Sequence, residues 1–234
     1  MASGKVLSVF SVAALEMGLK KACDRFEQNH DLQVALSFNT APELMTKVRD
    51  AWRADVWIAT APVLAHAASM GLIGKPQALA QVGVGVAVAQ GQLRPDISTL
   101  EAWQSAVLRA SAIFYTHASS GRYIHGLLTS MGLWDKVRSK VQRFDNGEAM
   151  LLALSQAGTP PGVMAMGAIS EILTFAQRGV DWVGPLPSAI AHQTIYAVAL
   201  DLQSPRLGPA QAWVHVCQQA DVWGDVSRTG VEPL

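Results

Sequence analysis

Short apolar segments with the two-residue period of a β-strand alternate with longer segments whose apolar residues recur every three or four positions. Residues 5–11 are predicted to form the first strand, and the helix after it places Leu15 and Leu19 on one face. The same order recurs where a strand over residues 32–38 leads into a helix over residues 42–53. Strands and helices in regular alternation predict an α/β fold with mainly parallel sheets.

Charge and hydropathy exclude several classes of protein. Lys and Arg total 18, as do Asp and Glu, so no basic excess favours nucleic acid. No apolar run approaches the roughly 20 residues of a membrane span, so we expect no membrane insertion. No leader-type segment precedes the first strand. The protein is therefore expected to be periplasmic if a leader was removed and replaced by residues 1–4, and cytoplasmic otherwise.

The motifs of common enzymes and metal sites are absent from the sequence. It lacks the glycine-rich nucleotide-binding patterns, the serine-hydrolase elbow and the paired cysteines or histidines of zinc sites. The six histidines are scattered, and none lies at zinc-ligand spacing from another ligand. The sequence predicts no metal and no cofactor.

Small polar residues recur where a predicted strand passes into a helix. Free backbone N–H groups and the positive end of the helix dipole make such positions suitable for an anion. The alternative is that each polar residue only caps its own helix. The candidate ligand-binding residues are Ser11, Asn39, Thr40, Thr60, Thr116, Ser119, Ser120, Gly121, Arg122 and Asn146.

The segment over residues 116–122 carries the strongest of these signals. Its run of small and polar residues exceeds what a cap needs, and Arg122 follows at once. An arginine in a first helical turn opposes the dipole, whereas its planar guanidinium suits a carboxylate or another oxyanion. His117 is a candidate catalytic base because its ordinary pKa lies near neutrality. A solvated surface arginine and a hydrogen-bonding loop histidine are the alternatives.

Six segments in the same order resemble molybdate-type solute-binding proteins. They are residues 9–15, 37–40, 54–61, 120–123, 131–135 and 194–200. The resemblance implies a type 2 periplasmic-binding-protein fold of two α/β lobes with a ligand cleft between them. It places strand crossovers near residues 82–89 and 193–200. Lobe 1 would comprise residues 1–82 and 195–234, and lobe 2 residues 83–194.

The sequence departs from that family at hydroxyl-bearing positions. Ala14 and Ala41 stand where molybdate binders carry serines of the first two loops, Ser120 keeps the third position, and Gly147 falls in the fourth loop. Because these hydroxyls grip a tetrahedral oxyanion in the family, the departures predict weak molybdate binding.

A second resemblance points to the branch that contains aconitate isomerase. It rests on residues 94–98, 115–121, 169–173 and 183–187. That branch implies abstraction and return of a proton next to a carboxylate, for which His117 and Arg122 are the candidate residues.

Two functions therefore stay open. One is a monomeric solute-binding protein that delivers a small carboxylate or oxyanion to an ABC permease. The other is an isomerase that moves a double bond in an unsaturated di- or tricarboxylate.

Overall fold

The computed structural model describes residues 6–234. Its strands are β1 Val6–Val12, β2 Gln33–Asn39, β3 Val56–Thr60, β4 Gln77–Ala89, β5 Ala112–Thr116, β6 Val141–Phe144, β7 Val163–Ala168, β8 Val180–Pro185, β9 Gln193–Leu200 and β10 Val231–Pro233. Its α-helices are α1 Glu16–Asn29, α2 Ala41–Arg49, α3 Ala61–Ser69, α4 Leu100–Arg109, α5 Ser119–Ser130, α6 Trp134–Val137, α7 Gly147–Ser155, α8 Ile169–Phe175, α9 Leu207–Cys217, α10 Ala220–Trp223 and α11 Val226–Thr229.

The chain divides into two compact units. The first comprises residues up to Gln81 together with Ile195–Leu234, and the second comprises Val82–Thr194. The boundaries fall within β4 and near the start of β9, so two strands carry the chain from one unit to the other.

In the first unit, parallel strands bring several loops to one sheet edge. Strand β1 pairs in parallel with β2 and β3, and Val12 lies opposite Asn39. Strand β9 runs antiparallel to β3, with Thr60 opposite Tyr196. The carboxyl ends of β1, β2 and β3 therefore share an edge with the start of β9.

At the other edge of this unit, a buried carboxylate joins three parts of the chain. Asp55 is 3% exposed and lies just before β3. It accepts bonds from the Ser8 backbone at 2.7 Å and the Ser204 hydroxyl at 2.5 Å. The Arg206 Nε donates to it at 3.0 Å. The cluster therefore links β1, the start of β3 and the segment that follows β9.

The second unit has the same kind of sheet. Strand β5 pairs in parallel with β6 and β7, while β4 pairs antiparallel with β7 and β8. Side chains alternate across the sheet. Ile113 and Tyr115 of β5 pack in the cluster that buries Ile124 of α5, whereas Phe114 packs with Leu151 of α7. Each helix therefore covers one face and begins at the carboxyl edge.

The predicted α/β class is confirmed, but several local predictions need correction. The crossover strand expected near residues 82–89 is longer, since β4 begins at Gln77, and the sequence pattern did not indicate the short strand β6. The sequence of residues 98–101 predicts a capping box that opens at Ser98, and this prediction is wrong. Thr99 caps α4 by accepting a bond from the Ala102 backbone, and the Ser98 hydroxyl bonds to Asp96 instead. The Ser98 hydroxyl does not cap the helix because it donates its hydrogen bond to the Asp96 carboxylate.

The helices of residues 6–234 include none with both the length and the apolar character required to cross a bilayer.

Candidate functional site

Three loops of the second unit meet at one edge of its sheet. Strands β5, β6 and β7 are parallel, and each leads directly or through a short loop into α5, α7 or α8. Thr116 lies opposite Phe144 in the register, and the His117 backbone N–H donates to the Phe144 carbonyl at 2.9 Å. The starts of these helices are therefore neighbours, as ligand sites of α/β sheets require.

The start of α5 lacks a side-chain cap. Its N-cap residue is Ala118, and the Thr116 hydroxyl bonds to the Ala118 backbone N–H at 3.2 Å, one residue before the helix. Ser119 and Ser120 form its first turn, whereas the sequence predicts a polar loop over residues 116–120 and a helix from Gly121. An uncapped first turn offers free N–H groups and a positive dipole end to an anion.

Gly121 allows the close approach between the end of β5 and the first turn of α5. A Cβ at this position would lie 2.6 Å from the Thr116 carbonyl carbon and closer still to its oxygen. Since the obstacle is backbone, a side chain here must displace the helix start.

The variant Gly121→Ala is expected to lose about 1–3 kcal/mol of stability, the usual cost of overpacking. The matched control is Gly126→Ala in the same helix, where a Cβ would meet nothing within 4 Å. Alanine there should stabilise by about 0.5–1 kcal/mol because glycine is the poorer helix former. Urea unfolding measures both, and equal effects would contradict the assigned role of Gly121.

Arg122 and His117 are both exposed beside this first turn. Within residues 6–234, neither side chain forms an ion pair or a side-chain hydrogen bond. The guanidinium and the imidazole are therefore accessible from solvent.

Sequence reasoning missed His192. Its ring stacks on Tyr123 of α5 with centroids 4.1 Å apart, and the Tyr123 hydroxyl donates to the Ile190 carbonyl at 2.8 Å. Burial lowers the pKa of His192 below its ordinary value, which favours a neutral imidazole. The position just before β9 gave no local signal of this contact.

Two side chains occupy the start of α7. The Asn146 side chain caps it by accepting a bond from the Ala149 backbone at 2.8 Å. The Glu171 carboxyl group of α8 lies against Gly147, since a Cβ there would be 2.5 Å from the Glu171 Cδ. The capping alternative therefore accounts for Asn146.

At the carboxyl edge of the first unit, some polar side chains make local hydrogen bonds and others do not. Thr40 forms a capping box with Glu43 at the start of α2, and the Asn39 amide donates to the Ser37 carbonyl at 2.7 Å. Thr60 precedes α3 without capping it, and its hydroxyl is buried without a hydrogen-bond partner among the described residues. Ser11 is fully buried, and its hydroxyl bonds weakly to the Val12 carbonyl at 3.3 Å.

The predicted ligand-binding residues lie in both units and differ in whether their side chains already make bonds. The side chains of Thr40, Asn39 and Asn146 make local bonds. The buried Thr60 hydroxyl and the first turn of α5 lack such bonds among the described residues. Within residues 6–234, no group of three or more His, Cys, Asp or Glu side chains could hold a metal ion.

Comparison with known proteins gives the chain a family context. A family model described as bacterial extracellular solute-binding protein matches residues 7–221. Aconitate isomerase from a Pseudomonas species is 23% identical over 183 residues, covering 77% of this chain and 68% of that protein.

Two solved structures share the fold at low identity. The periplasmic binding protein AgtB of A. tumefaciens R10, in complex with agropinic acid, superposes with a TM-score of 0.74 at 13% identity, covering 98% of this chain and 83% of that one. The periplasmic molybdate-binding protein of Azotobacter vinelandii gives a TM-score of 0.71 at 11% identity, covering 96% and 98%. These likenesses confirm the predicted type 2 periplasmic-binding-protein fold.

Proposed function

The chain belongs to the family of bacterial extracellular solute-binding proteins, and from that premise we propose that its solute is a small carboxylate anion. The observation that carries this proposal is the uncapped first turn of α5, with exposed Arg122 following Ser119, Ser120 and Gly121. Free N–H groups, two hydroxyls and a guanidinium match the acceptor oxygens of a carboxylate.

The proposal includes the setting that the family implies. The protein would act as a periplasmic monomer that captures its solute and hands it to an ABC permease. Thr116 belongs to the proposed binding set because its hydroxyl holds the loop in place. In the first unit, considered by itself, the buried Thr60 hydroxyl lacks a partner among residues 6–234, and a ligand oxygen could supply the bond.

The identity of the anion is tested by calorimetric titration with mono-, di- and tricarboxylates and with molybdate. The molybdate-binding protein of similar fold makes molybdate a necessary member of the panel. Carboxylates should bind more tightly than molybdate because Ala14 and Ala41 offer no hydroxyl to a tetrahedral oxyanion. Tighter binding of molybdate would show that backbone N–H groups alone suffice for it.

Arg122→Ala is expected to weaken carboxylate binding by about tenfold, or 1.4 kcal/mol, and to reduce its salt dependence. The control is Arg109→Ala, since Arg109 is another exposed arginine of this unit but ends α4 just before β5 begins, at the opposite sheet edge. Calorimetry at two salt concentrations measures both variants. Equal affinities for wild type and Arg122→Ala would remove the arginine from the site.

The relative aconitate isomerase favours a second candidate function. In that case the same edge would hold an unsaturated carboxylate while an imidazole moves a proton next to a carboxyl group. His117 is the proposed base, and His192 is an alternative because its lowered pKa keeps it neutral. Proton exchange with solvent separates this function from simple binding.

A further inference from the structure

The side chain of Glu171, a residue of α8, lies at the start of α7. It is in the first turn of α8, yet its carboxyl group packs against Gly147, the first residue of α7. A Cβ at Gly147 would be 2.8 Å from the Glu171 Oε1. Only a glycine leaves room for the carboxylate in this position.

The direction of that contact places the negative charge at the positive end of α7. Cα–Cβ bonds of a helix tilt toward its N-terminus, so a group at the Cβ position of the first residue lies beside the first turn. A carboxylate there interacts favourably with the helix dipole. The place that an external anion would take at α7 is thus filled by the chain itself.

We propose that Glu171 is a specificity-determining residue that acts as an internal anion at the start of α7. Its carboxylate excludes a second anionic group from this part of the edge and leaves the start of α5 as the place for one carboxylate. The solute would then be a monoanion, or an acid whose other groups near α7 are neutral or hydrogen-bond donors. This inference deepens the proposed function and rests on it for the identity of the solute.

The inference can be tested without the solute, by amide NMR of the whole chain with sulfate as the probe. In wild type, the amide signals of Gly147 and Glu148 should not respond to sulfate relative to chloride at equal ionic strength. In Glu171→Gln they should shift saturably, with sulfate affinity raised by at least about tenfold because the repelling charge is gone. Unmoved signals in Glu171→Gln, or equal shifts in wild type, would overturn the inference.

Two further variants make the result specific. Gly147→Ala should also make these signals respond to sulfate, because the added Cβ displaces the carboxylate, and it serves if Glu171→Gln does not fold. Glu148→Gln removes an exposed carboxylate from the same turn and should leave the signals unresponsive. An equal response in Glu148→Gln and Glu171→Gln would show that the loss of any negative charge in this turn admits sulfate, and would contradict the specific role of Glu171. Because the test uses sulfate in place of the solute, its failure leaves the carboxylate proposal standing. Failure of the carboxylate titration would likewise leave the sulfate result at α7 unchanged.

Discussion

Replacing Asp55 with alanine is expected to lower the free energy of unfolding by about 3–5 kcal/mol, the usual cost of breaking a buried ion pair from one side. The loss has a clear origin, since the Arg206 guanidinium would keep a half-buried position without this carboxylate. The Ser8 and Ser204 groups that donate to Asp55 would also lose their acceptor. Denaturant unfolding followed by circular dichroism measures the loss.

The control for this prediction is Asp221→Ala. Asp221 pairs with Arg25 through two bonds at 3.0 and 2.6 Å, but the pair is exposed to solvent. Exposed pairs contribute little because water and salt screen them. A loss in Asp221→Ala as large as that in Asp55→Ala would contradict the importance of burial.

The same carboxylate predicts an acid dependence of stability. Burial by itself raises the pKa of Asp55, but bonds from Ser204, Ser8 and Arg206 outweigh it and hold the pKa below its ordinary value. A lowered folded-state pKa contributes stability that is fully present above the unfolded value of about 3.9 and is lost as pH falls further. Asp55→Asn should therefore show a weaker loss of stability below about pH 4 than wild type.

With trans-aconitate in heavy water, the wild-type protein is expected to show no deuterium exchange next to a carboxyl group, since the proposed function is binding alone. If exchange does occur, the isomerase candidate holds, and His117→Ala should slow it by about 10² to 10⁴, the usual effect of losing a general base. NMR of the acid measures the rate.

The matched control is His215→Ala, since His215 is an exposed histidine on α9 of the first unit. It should leave any exchange rate unchanged. Exchange that survives His117→Ala would remove His117 as the base and direct the search to His192. Tight binding with no exchange would leave the protein a binder.

The fold could be predicted from sequence because strand and helix periods are local properties. The apolar spacing around Leu19 and the alternation of residues 32–38 indicate a helix and a strand without distant information, although Leu15 lies just before α1. The same pattern predicts parallel strands, so the polar residues that follow these strands could be assigned to the carboxyl edge of a sheet. Whether Thr40 or Ser119 is free for a ligand depends on side-chain bonds that the pattern does not determine.

The contacts that distinguish the site are distant in sequence. Glu171 fills space left by Gly147, and His192 stacks on Tyr123, although nothing near either partner signals the other. A glycine at the start of α7 is equally compatible with a simple turn. Its role depends on the carboxyl group of α8 that lies against it.

The central claim, that a small carboxylate binds at the start of α5, is tested most directly by amide NMR during titration with the tightest carboxylate of the panel. The largest saturable shifts should fall on Ser119, Ser120 and Gly121, with Gly126 of the same helix much less affected. Saturable binding that leaves those three amides unmoved, or no binding by any carboxylate, would contradict the claim.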